Sequence, residues 1–325
     1  MRLTDKQITE ITVGAVSIKR AGDVLIFSKC TEEQVAAWAA LNEILGKTAQ
    51  ATTGIRLDFH TNATNIRLIT KDLWKLEVHV DGRIVDRVIV KDEEADGFSY
   101  QLHLANDGIE KRVQIIFPSH NFGKLCAMEV SDSAYVKPHE HSCKLLFIGD
   151  SITQGWDTVY DSLSWAWRVT KWLDANSVIQ GVGGGFFDAS TLLPLPFEPD
   201  GIFLAYGTND FSRFNCMEDF RNAVHTYLKK FCAMYRCSKM AILPIPREEE
   251  GTYREGFGSF DELREILKEE YLSFGIPFID GYDLLPNHAF FYADAVHPND
   301  NGYALMFENL LKKTDDFSFL RKPSN

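Results

Sequence analysis

The chain has 325 residues, enough for roughly two domains, and its 45% hydrophobic and 25% charged residues, with 22 glycines and 11 prolines, exclude collagen-like, low-complexity and wholly disordered chains. Asp and Glu outnumber Lys and Arg by 46 to 34, and the formal charge of −12 repels phosphate backbones and anionic bilayers, so neither nucleic acid nor a membrane is expected as a partner. No early apolar run has signal-peptide character, no stretch approaches the ~20 apolar residues of a membrane span, and the six cysteines form no CxxC, so a cytoplasmic protein with reduced thiols is expected.

Between Ile11 and Val130 the apolar residues recur with a period of two. Ile55, Leu57 and Phe59 alternate with Arg56, Asp58 and His60, and Leu76, Val78 and Val80 with Glu77, His79 and Asp81. Asp81-Gly82 supplies a hairpin turn before Ile84–Val90, and runs at Tyr100–Leu104 and Val113–Phe117 continue the series. This pattern predicts a β-sandwich with one face of each sheet buried. One helix is expected within it: Thr31 and Gln34 form a capping box, Val35, Trp38, Leu41 and Leu45 share a face, and Gly46 stands at the C-terminal stop.

The stretch Asp132–Ser142 is short, polar and proline-bearing. It divides the chain into a sandwich over 1–135, a linker over 136–142 and a second domain over 143–325. From Lys144 onward, apolar runs at Leu145–Ile148, Ser177–Ile179, Ile202–Ala205, Ala241–Ile245 and Ile276–Ile279 alternate with amphipathic helical stretches. Such βαβ alternation predicts a mostly parallel sheet with helices on both faces, whose chemistry sits at the carboxyl ends of its strands.

Those ends carry distinctive residues. The first run leads into Gly149-Asp150-Ser151, the second into Gly181-Val182-Gly183-Gly184-Gly185, and the third into Gly207-Thr208-Asn209-Asp210; Asp294-Ala295-Val296-His297 follows far downstream. The glycine loop departs from G-x-G-x-x-G, since Phe186 or Asp188 falls in the last place, which argues against a dinucleotide. A serine beside an imidazole oriented by a carboxylate, with an amide and bare N–H groups nearby, suits acyl transfer.

Together the four blocks resemble the SGNH (GDSL-type) hydrolases, over about Cys143 to residue 312. The resemblance implies a three-layer, flavodoxin-like α/β domain in which Ser151 is the nucleophile, His297 the general base and Asp294 its orienting partner. It implies an oxyanion hole of the Ser151 N–H, a glycine N–H and the Asn209 side chain. Gly181-Val-Gly-Gly aligns that glycine with Gly184, while the run Gly183–Gly185 leaves its neighbours open. Gln180 departs from the asparagine often found before the loop. Trp38 and the segment Thr53–Asn62 are similar to the jelly-roll domain that precedes the catalytic domain in two-domain SGNH esterases and acyltransferases.

The expected activity is hydrolysis of short O-acyl esters, such as acetyl, of a carbohydrate or small molecule. The alternatives are an acyltransferase using the same triad and a carbohydrate-binding protein with an inactive hydrolase domain. No cofactor and no metal are expected: His139-Glu140-His141 has chelating residues but no further ligand near in sequence. Arg247–Glu250 reads as a solvated loop at a possible lid position, and Trp165, Trp167 and Trp172 as core packing.

Overall fold

The computed structural model describes residues 1–91, 96–248, 253–315 and 317–320. Among the described residues eleven strands precede the parallel sheet: β1 Thr12–Val13, β2 Ser17–Ala21, β3 Val24–Ser28, β4 Arg56–Thr61, β5 Asn65–Lys71, β6 Lys75–Val80, β7 Arg83–Ile89, β8 Asp96–His103, β9 Lys111–Ile116, β10 Lys124–Val130 and β11 Val136–Pro138. They form two antiparallel sheets, β1-β4-β9-β6-β7 with β11 added on β4, and β2-β3-β10-β5-β8. Leu57, Phe59, Val78 and Ile115 of the first sheet meet Phe27, Ile66, Leu68 and Met128 of the second in one buried core.

Three expectations change here. Val136–Pro138, assigned to the linker, pairs with Thr61–Phe59 and so belongs to the first sheet. The expected single helix is two, α2 Glu32–Leu41 and α3 Glu43–Ala49, after a short α1 Asp5–Glu10. Asn42 is extended and its side chain accepts from the Ile44 N–H, so it caps a new helix. Gly46 lies inside α3, where a Cβ would stand 2.6 Å from that of Ala39. The third change concerns the polar alternates of β4 and β6: Arg56, Asp58, Glu77 and His79 are all buried, because the α/β unit covers the face predicted to be wet.

That unit has a parallel sheet ordered β13-β12-β14-β15-β18, built from β12 Cys143–Gly149, β13 Ala175–Gly181, β14 Gly201–Ala205, β15 Ser238–Ile242 and β18 Phe278–Ile279. The ribbon β16 Tyr253–Arg254 and β17 Gly258–Ser259 lies outside it. Its helices are α4 Ser151–Gln154, α5 Trp165–Trp172, α6 Asp210–Arg213, α7 Met217–Met234, α8 Phe260–Ser273, α9 Gly281–Leu284 and α10 Asp300–Lys313. One core holds α7 and α8 against the sheet through Phe220, Val224, Leu263 and Leu267; the other holds α5 and α10 through Trp165, Val169, Tyr303 and Met306. The layers are therefore helix, sheet, helix in the flavodoxin-like order, with the chain reversing direction at β12. Trp165 and Trp167 are buried as expected, whereas Trp172 is exposed.

The two units join through polar contacts. Arg56 donates to the Ala175 carbonyl at 2.8 Å and lies over Trp167, and Glu77 accepts from the Ser162 hydroxyl at 2.6 Å. Lys75 pairs with Asp161 at 3.1 Å. Gln180 donates to the Lys29 carbonyl and to Gln34, both at 2.9 Å, so its extra methylene serves a contact between units. Trp38 and Leu45 add an apolar contact on Val182.

Candidate active site

Gly149 of β12 stands in register with Gly181 of β13 and Ala205 of β14, so the three following loops emerge side by side. Asp150 caps α4 by accepting from the Ile152 N–H at 2.9 Å, which puts Ser151 at the first helical position. Its N–H is one that a helix start leaves without an intrahelical acceptor. Glycine is required beneath it, since a Cβ at Gly181 would lie 2.3 Å from the Gln154 nitrogen.

The loop before α10 brings His297 to this serine. His297 Nε2 lies 2.8 Å from Ser151 Oγ, and Nδ1 lies 2.8 Å from Asp294 Oδ2. The other oxygen of Asp294 accepts from the Val296 and His297 N–H groups at 2.7 and 2.6 Å. Partial burial pushes the Asp294 carboxyl up, but these N–H groups and the imidazole outweigh it and hold the acid below its ordinary range. Of the other histidines nearby in sequence or in the helices, His225 meets Glu270 on α8 and His288 caps a short 3-10 turn.

The glycine loop distinguishes its members by their bonds. The Gly183 N–H donates to Gln154 Oε1 at 2.8 Å and the Gly185 N–H to the Val182 carbonyl at 2.7 Å. Among the described residues no acceptor is recorded for the Gly184 N–H, and its φ of +80° suits glycine. Asn209 uses one amide hydrogen on the Gly185 carbonyl at 3.0 Å, and the second has no partner among the described residues. Ser151, Asp294, His297, Gly184 and Asn209 thus meet at one edge of the sheet.

Several neighbours were not singled out by sequence. Asp157 Oδ2 lies 3.5 Å from His297 Nδ1, a second carboxylate on the same nitrogen. The ligand atoms of Asp157, Asp294 and His297 form a metal-compatible group, but their hydrogen bonding already accounts for it. Trp156 packs its ring 6.0 Å from that of His297 and 4.7 Å from that of His120, which comes from the β-sandwich. Burial lowers the His120 pKa to about 4, so it stays neutral near pH 7. Behind the serine, burial pushes both the Asp150 and Asp210 carboxyls up to about 7, although N–H groups of Ile152 and Phe187 oppose it. The motif Asp150-Ser151-Ile152-Thr153-Gln154 carried the signal for Gln154; nothing in the local sequence marked His120 or Asp157. Of the Arg247–Glu250 loop, Glu249 and Glu250 lie outside the described residues.

Residues 147–305 match the model of the GDSL-like Lipase/Acylhydrolase family. Comparison with curated proteins gives no significant match. Among solved structures, the chain is similar to the salicylyl-acyltransferase SsfX3 of a tetracycline biosynthetic pathway, at 16% identity over 95% of this chain and 96% of that one, with a TM-score of 0.82. It is also similar to a family two carbohydrate esterase from Cellvibrio japonicus (17% identity, 95% and 96% covered, TM-score 0.68). A family two carbohydrate esterase from Clostridium thermocellum, solved with cellohexaose, shares 16% identity over 83% of this chain and 94% of that one, with a TM-score of 0.66. Residues 147–305 therefore carry a GDSL-like lipase/acylhydrolase domain, and the likeness to the solved structures over the rest of the chain is one of fold.

Proposed function

We propose that the protein is a serine esterase that removes short O-acyl groups, acetyl foremost, from a carbohydrate or small-molecule ester. The observation that carries this reading is the unbroken line Asp294–His297–Ser151, with both contacts at 2.8 Å, beside the unengaged Gly184 N–H. Ser151 Oγ attacks the ester carbonyl as His297 Nε2 takes its proton; Asp294 holds the imidazole by Nδ1 and stabilises the imidazolium. The Ser151 N–H, the Gly184 N–H and the free Asn209 amide hydrogen receive the oxyanion, each such donor typically lowering the barrier by about 3 kcal/mol. His297 then protonates the leaving alcohol, and water activated by the same imidazole releases the acid from acyl-Ser151.

In this reading the β-sandwich and the α/β unit are two domains that meet near Cys143, and the first walls the cleft of the second. The six cysteines, unpaired among the described residues, support a reducing, cytoplasmic setting. Acyl transfer to an alcohol is the second reading, favoured by the likeness to the salicylyl-acyltransferase over both units. Turnover of p-nitrophenyl acetate by the wild type, its fall by about 10⁴-fold or more in Ser151→Ala, and labelling of Ser151 by a fluorophosphonate are the expected results. Undiminished turnover in Ser151→Ala would refute the assignment. Added acceptor alcohols separate the two readings by whether acyl alcohol or free acid accumulates.

A further inference from the structure

Where β11 leads into β12, the chain gathers imidazoles against a carboxylate that sequence proximity did not reveal. His139 Nε2 lies 3.1 and 2.9 Å from the two oxygens of Asp174, which occupies the turn between α5 and β13. His141 places Nδ1 3.9 Å from Asp174 Oδ1 and Nε2 3.7 Å from Asp58 Oδ2, both beyond hydrogen-bond length. Its side chain is only 7% exposed, and neither nitrogen has a hydrogen-bond partner among the described residues. A buried polar group left without a partner is destabilising, since it has given up its water.

We propose that His139 Nε2, His141 Nδ1 and one oxygen of Asp174 bind a zinc-class divalent cation, with water in the fourth position, as a structural clasp between the two units. One ligand atom from each of His139, His141 and Asp174 lies within 4.8 Å of the other two. The separation of 2.9 Å between His139 Nε2 and Asp174 Oδ2 is close to the edge of about 3.3 Å expected for a tetrahedron with metal–ligand bonds of about 2.05 Å.

The surrounding groups fit that role. His139 Nδ1 contacts His60 Nε2 at 2.9 Å, and His60 Nδ1 stands 3.1 Å from Glu110. With each Nδ1 protonated, the chain runs donor to acceptor from His139 through His60 to Glu110, and the His139 Nε2 lone pair points at the cation. Outer partners of this kind fix the tautomer of a metal-bound histidine. His141 Nε2–H has Asp58 as its nearest acceptor. Arg112 pairs with Asp174 Oδ1 at 2.8 Å, so Asp174 serves the cation through Oδ2. Arg56 and Arg112 also balance Asp58, and the bound dication is the remaining positive charge of the cluster.

The test uses the full-length protein, stripped with a chelator and titrated with Zn(II) by calorimetry, with Co(II) absorbance as a second readout. The expected result is one equivalent bound, a raised unfolding temperature, and a Co(II) spectrum without a thiolate charge-transfer band. Affinity falls at least about tenfold in His141→Ala and in Asp174→Asn, and persists in His297→Ala. His141→Gln reads the same contact if the alanine variant does not fold. Absence of binding in a large excess of Zn(II), unchanged affinity in His141→Gln and Asp174→Asn, or loss of binding in His297→Ala would each overturn the proposal.

Discussion

The amide of Gln154 joins Ser119 to the glycine loop: Nε2 donates to the Ser119 carbonyl at 2.8 Å while Oε1 accepts from the Gly183 N–H at 2.8 Å. Ser119 follows β9 of the sandwich, and its own N–H donates to Asp161 at 2.6 Å. The side chain is wholly buried, and its oxygen also receives the Trp156 indole at 3.2 Å. One amide therefore sets the height of the loop that presents the Gly184 N–H.

Gln154→Ala should lower kcat on p-nitrophenyl acetate by about 10- to 100-fold with little change in KM, because a displaced donor weakens transition-state binding without touching the ester in its ground state. Asn209→Ala, which removes a donor outright, should cost about 10²- to 10³-fold in kcat. Steady-state kinetics of both variants check this, and a Gln154→Ala effect confined to KM would contradict it.

The second carboxylate on His297 predicts an unusual pattern. Asp294→Asn should lose about 10²- to 10³-fold, because Asp157 lies 3.5 Å from the same nitrogen and still favours the imidazolium. The double variant with Asp157→Asn should approach the ~10⁴-fold loss expected when no carboxylate serves the imidazole. Equal rates for the single and double variants would show that Asp157 does nothing. His297→Ala should be severe and His288→Ala mild.

Lys29 is fully buried at the join, donates to Thr53 Oγ1 at 2.7 Å, and is lowered by desolvation to a pKa of about 7. A lysine in the unfolded chain titrates near 10.4. Between about pH 7 and 10 the unfolded chain holds a proton the folded protein has released, so this group makes stability rise with pH across that window. Lys29→Met should remove a rise on the order of 2 kcal/mol between pH 7 and 9. Denaturant unfolding at both pH values measures it, and parallel profiles for wild type and variant would rule it out.

A fragment beginning at Cys143 should be poorly soluble or inactive even on p-nitrophenyl acetate. It lacks the Ser119 carbonyl that anchors Gln154, the His120 ring against Trp156, and Trp38 and Leu45 over Val182. Full activity in a soluble fragment would reduce the sandwich to a tethered module.

The α/β unit was largely legible because its first three strands end in the Gly149-Asp150-Ser151, glycine-loop and Gly207–Asp210 blocks, and the resemblance to SGNH hydrolases joined Ser151, Gly184 and Asn209 to His297 in one site. The join was not. Period-two alternation marks Arg56, Asp58, Glu77 and His79 as solvent-facing, and it has no way to signal a second unit whose Ala175 carbonyl and Ser162 hydroxyl replace water. Gln180 looked like a weak family match until its amide was found on Gln34 and Lys29. The helix α1 had a readable signal, Thr4 with Gln7 in a capping box, that hydrophobic periodicity over six residues is too short to reinforce.

Leu45 and Thr48 of α3 touch the glycine loop from outside the α/β unit: a Cβ at Gly184 would stand 3.2 Å from Leu45, and one at Gly183 would stand 3.3 Å from Thr48. The glycine loop is therefore shaped by a stretch of chain more than a hundred positions before Ser151, and a bulkier side chain at Leu45 or Thr48 would press on that loop while leaving Ser151, His297 and their spacing as they are.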